Sequence, residues 1–279
     1  MSTRETAFIS ADDLRSLLGR NELVVLDVRF QPVEGAQPAE YAAGHIPGAV
    51  FVDLPAELAG PGGGNAGRYP LPAVELLQAF ARRWGVSADS TVVVYDDRQG
   101  LSAARAWWVL TWAGVPGVRV LDGGYSGWLA GGNPSSTAAH VPATGDVTLS
   151  PGHLDVIGED DIDHLIEGGV LLDVRSPRQY EGDPDKPATG HIPGAVNVDS
   201  RGNVDERGLL LAESELRERY GSVGADGNTP IAAYCGGGVV GAHTVLVLST
   251  LGLRAGLYPG SWSAWSTNSH NPITTGPLP

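Results

Sequence analysis

The chain repeats blocks of its own sequence. Leu-Asp-Val-Arg occurs at residues 26–29 and again at residues 172–175. Gly-His-Ile-Pro-Gly-Ala-Val occurs at residues 44–50 and, at the same distance from the first block, at residues 190–196. Blocks that recur in one order at one spacing indicate two copies of a domain, because the period is far longer than that of a solenoid repeat. Each half of the chain must therefore be long enough to form one complete domain, and the two domains should share the same fold.

Further along, the two copies stay aligned but differ at one informative position. Gly-Gly-Tyr-Ser-Gly-Trp at residues 123–128 aligns with Gly-Ser-Trp-Ser-Ala-Trp at residues 260–265, and before these blocks Asp96 aligns with Cys235. Cys235 is the only cysteine of the chain. Because the first copy is built without a cysteine at this place, a purely structural need for Cys235 is disfavoured.

Within each copy, short apolar runs alternate with stretches of helical character. The runs predicted as strands cover residues 23–28, 91–96, 118–121, 170–175 and 231–234, and the clearest helices cover residues 74–84, 103–112 and 239–251. This alternation predicts an α/β fold with two tandem domains, each a mostly parallel sheet with helices on both faces. In such sheets the functional site lies at the carboxyl ends of the strands.

The composition of the chain also changes between the two copies. Residues 132–152 are rich in Gly, Pro, Ser, Thr and Ala and show no sustained apolar period, which is typical of a linker. We therefore expect an N-terminal domain at residues 1–131, this linker, and a C-terminal domain at residues 153–279 that carries the cysteine.

The overall charge and composition exclude several classes of function. An apolar fraction of 42% and a charged fraction of 18% are those of a globular protein, and no apolar run is long enough for a membrane span. A formal net charge of -14 argues against binding to nucleic acid and requires local cations for any anionic substrate. The N-terminus lacks a secretory signal, and one cysteine cannot form an internal disulfide, so we expect a cytoplasmic protein.

The stretch around Cys235 has the pattern of an exposed nucleophile. An apolar run typical of a buried strand leads into Cys235, and three consecutive glycines and an apolar helix follow. The glycines allow the backbone to curl closely around the side chain, and the start of a helix offers unpaired N–H groups. This environment favours the thiolate, which is the nucleophilic form. The alternative is a buried structural cysteine beside a tight turn.

Three blocks together resemble the rhodanese family, specifically its two-domain sulfurtransferases. Residues 41–52 look like the first signature of the family, and residues 255–265 look like its C-terminal signature, except that Ala264 stands where the family usually has Glu. Residues 234–239 look like its active-site loop. The resemblance covers nearly the whole chain. Asp96, which cannot act as a sulfur nucleophile, stands where the second copy has Cys235, so the first domain is expected to be catalytically inactive.

The resemblance also implies a mechanism. Cys235 would attack a small anionic donor, take its sulfane sulfur as a persulfide, and pass it to a thiophilic acceptor such as cyanide or a thiol, with thioredoxin as one candidate. The active-site loop would be Gly236, Gly237, Gly238, Val239 and Val240. No cofactor and no metal ion are expected.

The small, neutral loop bears on the choice of donor. In the family, thiosulfate-preferring enzymes tend to carry cations in this loop, and mercaptopyruvate-preferring ones carry small neutral residues. The sequence therefore favours 3-mercaptopyruvate ahead of thiosulfate, although Gly237 replaces a family Ser and Val240 a family Thr. Arg178 matches the first of two carboxylate-binding arginines in the family, and Lys186 is the cation nearest to the second. Both are predicted to bind the substrate.

Several other residues are candidates for the site or for its support. We expect Trp262 to line the pocket, and Arg175 is a further candidate to reach it. From the first domain, Asp53, Arg98 and Arg105 are candidates to reach the site. His243 lies about two turns along the helix after Cys235, and we expect it to point away from the loop.

The doubled residues outside the cysteine loop are interpreted as structural. His45 and His191 occur in identical blocks, and Asp27 and Asp173 occur in the other pair of identical blocks. The first copy keeps both residue types although it lacks a nucleophile. The histidines are therefore expected to hydrogen-bond nearby backbone and to hold their loops.

Two other functions are possible for a cysteine loop of this kind. A Cys-x5-Arg phosphatase needs an arginine six positions after the cysteine, and Gly241 stands there. A non-catalytic sulfur carrier or regulatory binding protein is the second alternative, because the Ser and the second Arg of the family pattern are missing. Such a protein would show little turnover with any small donor.

Overall fold

The computed structural model describes residues 3–279, which divide into two compact units. The first unit contains the described residues up to Gly60, together with Leu71–Leu154 and Val204–Leu210. The second contains Pro61–Pro70, Asp155–Asn203 and Leu211–Pro279. Each unit thus includes one short segment from the other half of the sequence, and the predicted linker at residues 132–152 lies within the first unit. The domain boundaries read from the sequence stay a prediction.

The first unit is built on a five-stranded parallel sheet with strand order β1-β7-β6-β2-β5, and β3 and β4 form a separate antiparallel pair. Its strands are β1 (Phe8–Ile9), β2 (Leu23–Asp27), β3 (Phe30–Gln31), β4 (Gly35–Ala36), β5 (Ala49–Phe51), β6 (Thr91–Tyr95) and β7 (Arg119–Leu121). Its helices are α1 (Thr3–Ala7), α2 (Ala11–Leu17), α3 (Pro38–Ala43), α4 (Leu54–Glu57), α5 (Val74–Arg83), α6 (Ala103–Trp112) and α7 (Gly124–Ala130).

The second unit repeats this plan with a four-stranded parallel sheet in the order β11-β10-β8-β9. Its strands are β8 (Val170–Asp173), β9 (Val196–Asn197), β10 (Ile231–Tyr234) and β11 (Gly256–Leu257). Its helices are α8 (Ile162–Gly168), α9 (Pro177–Glu181), α10 (Glu213–Gly221), α11 (Gly241–Thr250) and α12 (Ser261–Trp265), and its 3-10 turns are Gly64–Ala66, Glu159–Asp161 and Ser200–Asn203. The predicted α/β fold with mostly parallel sheets is confirmed.

Both faces of the first sheet are covered, as the continuous apolar strands predicted. Val25 and Val93 pack in one cluster with Leu14 of α2 and Trp128 of α7. Alternate strand residues such as Val94 are equally buried, and they face the other side of the sheet. On that side lies α6, whose residues 103–110 are all buried and which contacts β6.

A buried ion pair is built once in each unit. In the second unit, the Arg175 Nη2 donates to an Asp173 carboxylate oxygen at 2.5 Å and to the Gly190 carbonyl at 2.7 Å. The Tyr234 hydroxyl donates to the same carboxylate at 2.7 Å. Burial lowers the pKa of Arg175, but the bonds to Asp173 outweigh burial and the net direction is upward. This network ties the ends of β8 and β10 to the loop before β9.

The first unit contains the same network without a cysteine beside it. Arg29 donates to Asp27 at 2.7 Å and to the Gly44 carbonyl at 2.7 Å, and the Tyr95 hydroxyl donates to Asp27 at 2.7 Å. The duplicated aspartates therefore serve the fold, as predicted. The duplicated histidines do so too, because each stacks on a tyrosine and places Nδ1 within 3 Å of a backbone carbonyl oxygen.

Helix α11 runs through the interior of the second unit. It spans 10 residues, and all but Ser249 are buried. Although α11 is strongly apolar, no helix in residues 3–279 combines the length and the apolar character that crossing a membrane requires. Its one ionisable side chain is His243, which is 1% exposed and has no hydrogen-bond partner for either ring nitrogen among the described residues.

Acid should destabilise the second unit through His243. Burial lowers the pKa of His243 from 6.5 to about 4. The unfolded chain therefore takes up this proton first, so the contribution is intact above the unfolded pKa and is lost as the pH falls towards the folded pKa. The full loss is about 3 kcal/mol of unfolding free energy.

Urea unfolding at pH 7.5 and at pH 4 checks this expectation. A His243→Leu variant should lose much less stability between the two pH values than the wild type. The exposed His164 is the matched control, and His164→Gln should keep the wild-type pH dependence. An unchanged pH dependence in His243→Leu would contradict the assignment.

Candidate active site

Cys235 follows directly after the carboxyl end of β10, where the parallel sheet places a functional site. Its side chain is buried, with 3% of the residue exposed. The Gly238 backbone N–H donates to the Cys235 Sγ at 3.2 Å. The loop then passes into α11, which begins at Gly241. The sulfur thus lies against a backbone donor and near the start of a buried helix, as the sequence predicted. The expected exposure of the side chain is wrong, because the loop and Ser261 enclose Cys235.

The conformation of the loop requires glycine at one position in particular. Gly238 has a φ of 82°, and a Cβ there would lie 2.3 Å from the Pro259 carbonyl oxygen. No other residue fits without moving that backbone. The same residue supplies the N–H that donates to the sulfur. The conformation that brings Gly238 close to Pro259 therefore also positions this hydrogen bond.

Ser261 supports Cys235 from the start of α12. Its hydroxyl accepts the Cys235 backbone N–H at 3.2 Å, donates to the Tyr258 carbonyl at 2.9 Å, and lies 4.0 Å from the Sγ. Ser261 has a φ of 52°, a left-handed conformation that costs a residue with a Cβ about 1 kcal/mol or more. The aligned residue in the first unit is Gly124, with a φ of 57°. The second unit therefore accepts strain at a glycine position to place a hydroxyl beside the cysteine.

Two substitutions at Ser261 separate the strain from the hydrogen bonds. Ser261→Ala keeps the strained Cβ and loses both bonds, whereas Ser261→Gly loses the bonds and relieves the strain. We expect the glycine variant to be more stable than the alanine variant by about 1 kcal/mol, measured by urea unfolding. Equal stabilities, or a more stable alanine variant, would contradict the strain.

A cleft of about 770 Å³ in the second unit opens beside the cysteine loop. Gly236 lines it from the loop, and Trp262 and Ser263 line it from α12. Arg175 and Gln179 lie along the cleft, and glycines at residues 62–64 and 67 form part of its wall together with Arg68. Cys235 itself is buried and does not line the cleft, but its neighbour Gly236 does. The cleft therefore places guanidinium groups and an indole next to the cysteine loop.

Arg175 is held rigidly in this cleft. Its guanidinium carbon lies 4.5 Å from the centre of the Trp262 ring, and its side chain is 6% exposed. Nε and Nη2 bind Asp173 and the Gly190 carbonyl, and Nη1 is not used in these bonds. Asp173 compensates the charge of Arg175. Arg175 therefore adds little net positive charge to the cleft, although its guanidinium is held in a fixed orientation.

Comparison with known proteins accounts for both halves of the chain. The model of the rhodanese-like domain matches residues 10–131 and again residues 159–268. The chain belongs to the rhodanese family. The two matches coincide with the two copies that the sequence repeats predicted.

Its rhodanese relatives are similar over nearly their full length. SseB of Mycobacterium tuberculosis, described by its name as a thiosulfate sulfurtransferase, is 39% identical, with 99% of each chain aligned. The 3-mercaptopyruvate sulfurtransferase of Escherichia coli K12 is 32% identical, over 98% of this chain and 99% of that protein. The crystal structure of SseA from Escherichia coli, a 3-mercaptopyruvate sulfotransferase with the rhodanese fold, superposes with a TM-score of 0.82 over 92% of this chain and 98% of that one, at 32% identity. The chain is a sulfurtransferase.

The structure brings together only some of the residues proposed for this rhodanese site. Gly236 and Trp262 line the cleft beside Cys235. Arg178 lies exposed on α9 and is not among the lining residues, where its neighbour Gln179 is found. Lys186 is also exposed and pairs with Asp183 at 2.8 Å. Substrate-binding roles for Arg178 and Lys186 stay predictions.

The first-domain candidates are engaged within the first unit. Asp53 caps α4 by accepting the Ala56 N–H, and the buried Arg105 donates to the Leu58 carbonyl at 3.1 Å. Arg98 gives its backbone N–H to Asp96 at 2.8 Å. The cation from the first half that does line the rhodanese cleft is Arg68, which sequence reasoning missed. The only sequence signal for it is a lone cation after a glycine-rich stretch.

Proposed function

We propose that Cys235 takes a sulfur atom from a small anionic donor and holds it as a persulfide. The thiolate attacks the outer sulfur of the donor, the new S–S bond forms, and the donor's bond to that sulfur breaks. The electron pair of this bond leaves with sulfite from thiosulfate, or with the pyruvate enolate from 3-mercaptopyruvate, which then takes a proton. A thiophilic acceptor such as cyanide or a thiol attacks the outer sulfur and releases the Cys235 thiolate.

The observation that carries this proposal is the Gly238 N–H that donates to the Sγ at 3.2 Å beside an arginine-bearing cleft. A persulfide is an anion, and it needs donors that are already oriented when it forms. The loop supplies a backbone donor, and α11 begins just behind it. Among described residues, no charged side chain forms a hydrogen bond with the sulfur.

The first unit supports the proposal with a carboxyl group in the equivalent place. Asp96 follows β6 as Cys235 follows β10. One carboxylate oxygen of Asp96 accepts the N–H groups of Arg98 and Gly100, and the other accepts those of Ser102 and Ala103, at 2.6 to 2.9 Å. Burial raises the pKa of Asp96, and the four backbone bonds oppose that rise without cancelling it. A loop at this position therefore directs four backbone N–H groups at one acidic side chain without any cationic side chain.

The donor that we favour is 3-mercaptopyruvate, ahead of thiosulfate. The loop after Cys235 contains no cation, which matches the neutral loops described above. Both donors occur in the names of the relatives, since SseB is named for thiosulfate and the Escherichia coli protein for 3-mercaptopyruvate. A free thiol with this role needs a reducing compartment, and we therefore assign the reaction to the cytoplasm.

Mass spectrometry of the protein after exposure to a single donor tests the proposal. Reduced protein is incubated with 3-mercaptopyruvate or with thiosulfate, freed of donor, and mapped by peptide. We expect one additional sulfur on the peptide containing Cys235, and we expect cyanide to remove it as thiocyanate. Failure of both donors to load Cys235 would overturn the proposed function and leave the non-catalytic binding protein as the better description.

A further inference from the structure

We propose that Arg68, from the first half of the sequence, binds the anionic group of the sulfur donor in the cleft beside Cys235. This inference rests on the proposed function and deepens it. It assigns specificity to a residue that none of the sequence blocks contains. The group recognised is the carboxylate of 3-mercaptopyruvate or the sulfonate group of thiosulfate, and neither group contains the transferred sulfur.

The backbone of Arg68 is fixed to the element that supports the cysteine. The Arg68 N–H donates to the Ser263 hydroxyl at 2.8 Å. The preceding residue, Gly67, has a φ of 81°, and a Cβ there would lie 2.5 Å from the Gly260 carbonyl oxygen. The chain therefore sits directly on the start of α12, close to Trp262. A side chain leaving this point enters the cleft from a defined position.

The side chain of Arg68 then runs across the cysteine loop. Its Cβ lies 3.0 Å, and its Cδ 3.7 Å, from the position that a Cβ on Gly237 would occupy. A larger residue at Gly237 would displace the arginine. Residue 237 is Gly here, whereas the family pattern has Ser. The space that a side chain at residue 237 would need is occupied by Arg68.

Two arginines line this cleft, and Arg68 is the one whose positive charge is not paired with a carboxylate among the described residues. Arg175 is paired with Asp173, and Lys186 is paired with Asp183 outside the lining. Arg68 is exposed, and no ion pair or hydrogen bond engages its guanidinium in the part of the chain that the structure describes. In a chain with a net charge of -14, such a cation is where an anionic donor finds local attraction. The planar guanidinium can also bind a carboxylate or sulfonate through two parallel hydrogen bonds.

Steady-state kinetics of Arg68→Gln and Arg68→Lys test the role in turnover. We expect kcat/KM to fall about tenfold or more in Arg68→Gln, mainly through KM, and Arg68→Lys to recover part of the loss. Arg201, which pairs with Asp199 outside the cleft, supplies the matched control Arg201→Gln, whose kinetics should stay unchanged. A loss with both donors, or with one of them, supports the proposal and shows which anion Arg68 recognises. Unchanged kcat/KM with both donors overturns it.

A labelling experiment separates this inference from the proposed function. Methyl methanethiosulfonate is neutral, and its 2-sulfonatoethyl analogue carries an anion. Each modifies a thiol by forming a mixed disulfide and releasing methanesulfinate, so no sulfur transfer is required. In Arg68→Gln, the anionic reagent should label Cys235 about tenfold more slowly while the neutral reagent keeps its rate. Equal slowing of both reagents, or of neither, overturns the role of Arg68 even if the protein transfers sulfur normally.

Discussion

Turnover should fall by at least about a thousandfold when Cys235 is replaced with serine. A hydroxyl is a far weaker nucleophile than a thiol and needs an adjacent general base. The atoms that approach the Sγ are the Gly238 N–H, which is a donor, and the Ser261 hydroxyl, which already donates to the Tyr258 carbonyl. Neither can remove a proton from serine. Sulfur transfer to cyanide with each donor is the measurement.

The Cys235→Ser variant should remain folded, because the change is small and the loop is held by its backbone. Its urea unfolding curve and circular dichroism should match those of the wild type. Residual turnover within tenfold of the wild type in a folded, metal-free sample would show that the reaction does not pass through this sulfur. Cys235→Ala provides a second variant with no hydroxyl at all.

Replacing Asp96 with alanine should destabilise the first unit by at least about 4 kcal/mol. Asp96 is fully buried and accepts four backbone N–H groups, at distances of 2.6 to 2.9 Å. Alanine would leave all four donors without a partner in a place that water does not reach. Urea unfolding, followed by circular dichroism, measures the loss.

The neighbouring Asp97 provides the control for that measurement. Asp97 is exposed, and one of its oxygens accepts the Ser126 backbone N–H and hydroxyl. Asp97→Ala should therefore cost no more than about 1 kcal/mol. If the two alanine variants were equally stable, the carboxylate of Asp96 would not be what holds this loop, and the comparison with the cysteine loop would lose its basis.

The parts of the fold that sequence predicted are those with a strong local pattern. Helix α6 begins and ends at the predicted residues, because its long apolar run has no competing signal. Ser10 caps α2 by accepting the Asp13 N–H, and a short hydroxyl residue before an acidic first turn is such a local pattern. Helix α10 was not predicted, because only Leu216 and Tyr220 are buried and its apolar period is weak. The two-residue strand β1 is too short to show any alternation.

The sequence identifies Cys235 as the candidate nucleophile, but it does not identify Arg68 as a residue that lines the cleft. Cys235 stands out because the aligned copy has Asp96 in its place. Arg68 does not stand out, since it reaches the site through a contact with Ser263, almost two hundred residues later in the chain. Ser261 belongs to a block that aligns with residues 123–128, but the sequence does not show its left-handed φ or its hydrogen bond to the Cys235 backbone. Contacts across such separations leave no periodic trace in a single sequence.

The segment Pro61–Pro70, which packs in the second unit, has a consequence for how the enzyme is made. On the ribosome this segment emerges long before residues 236–263, against which Gly67 and Arg68 rest. A fragment starting at residue 153 would contain Cys235 and lack one wall of the cleft. The cleft of the second unit is therefore complete only after both segments of the chain have been synthesised.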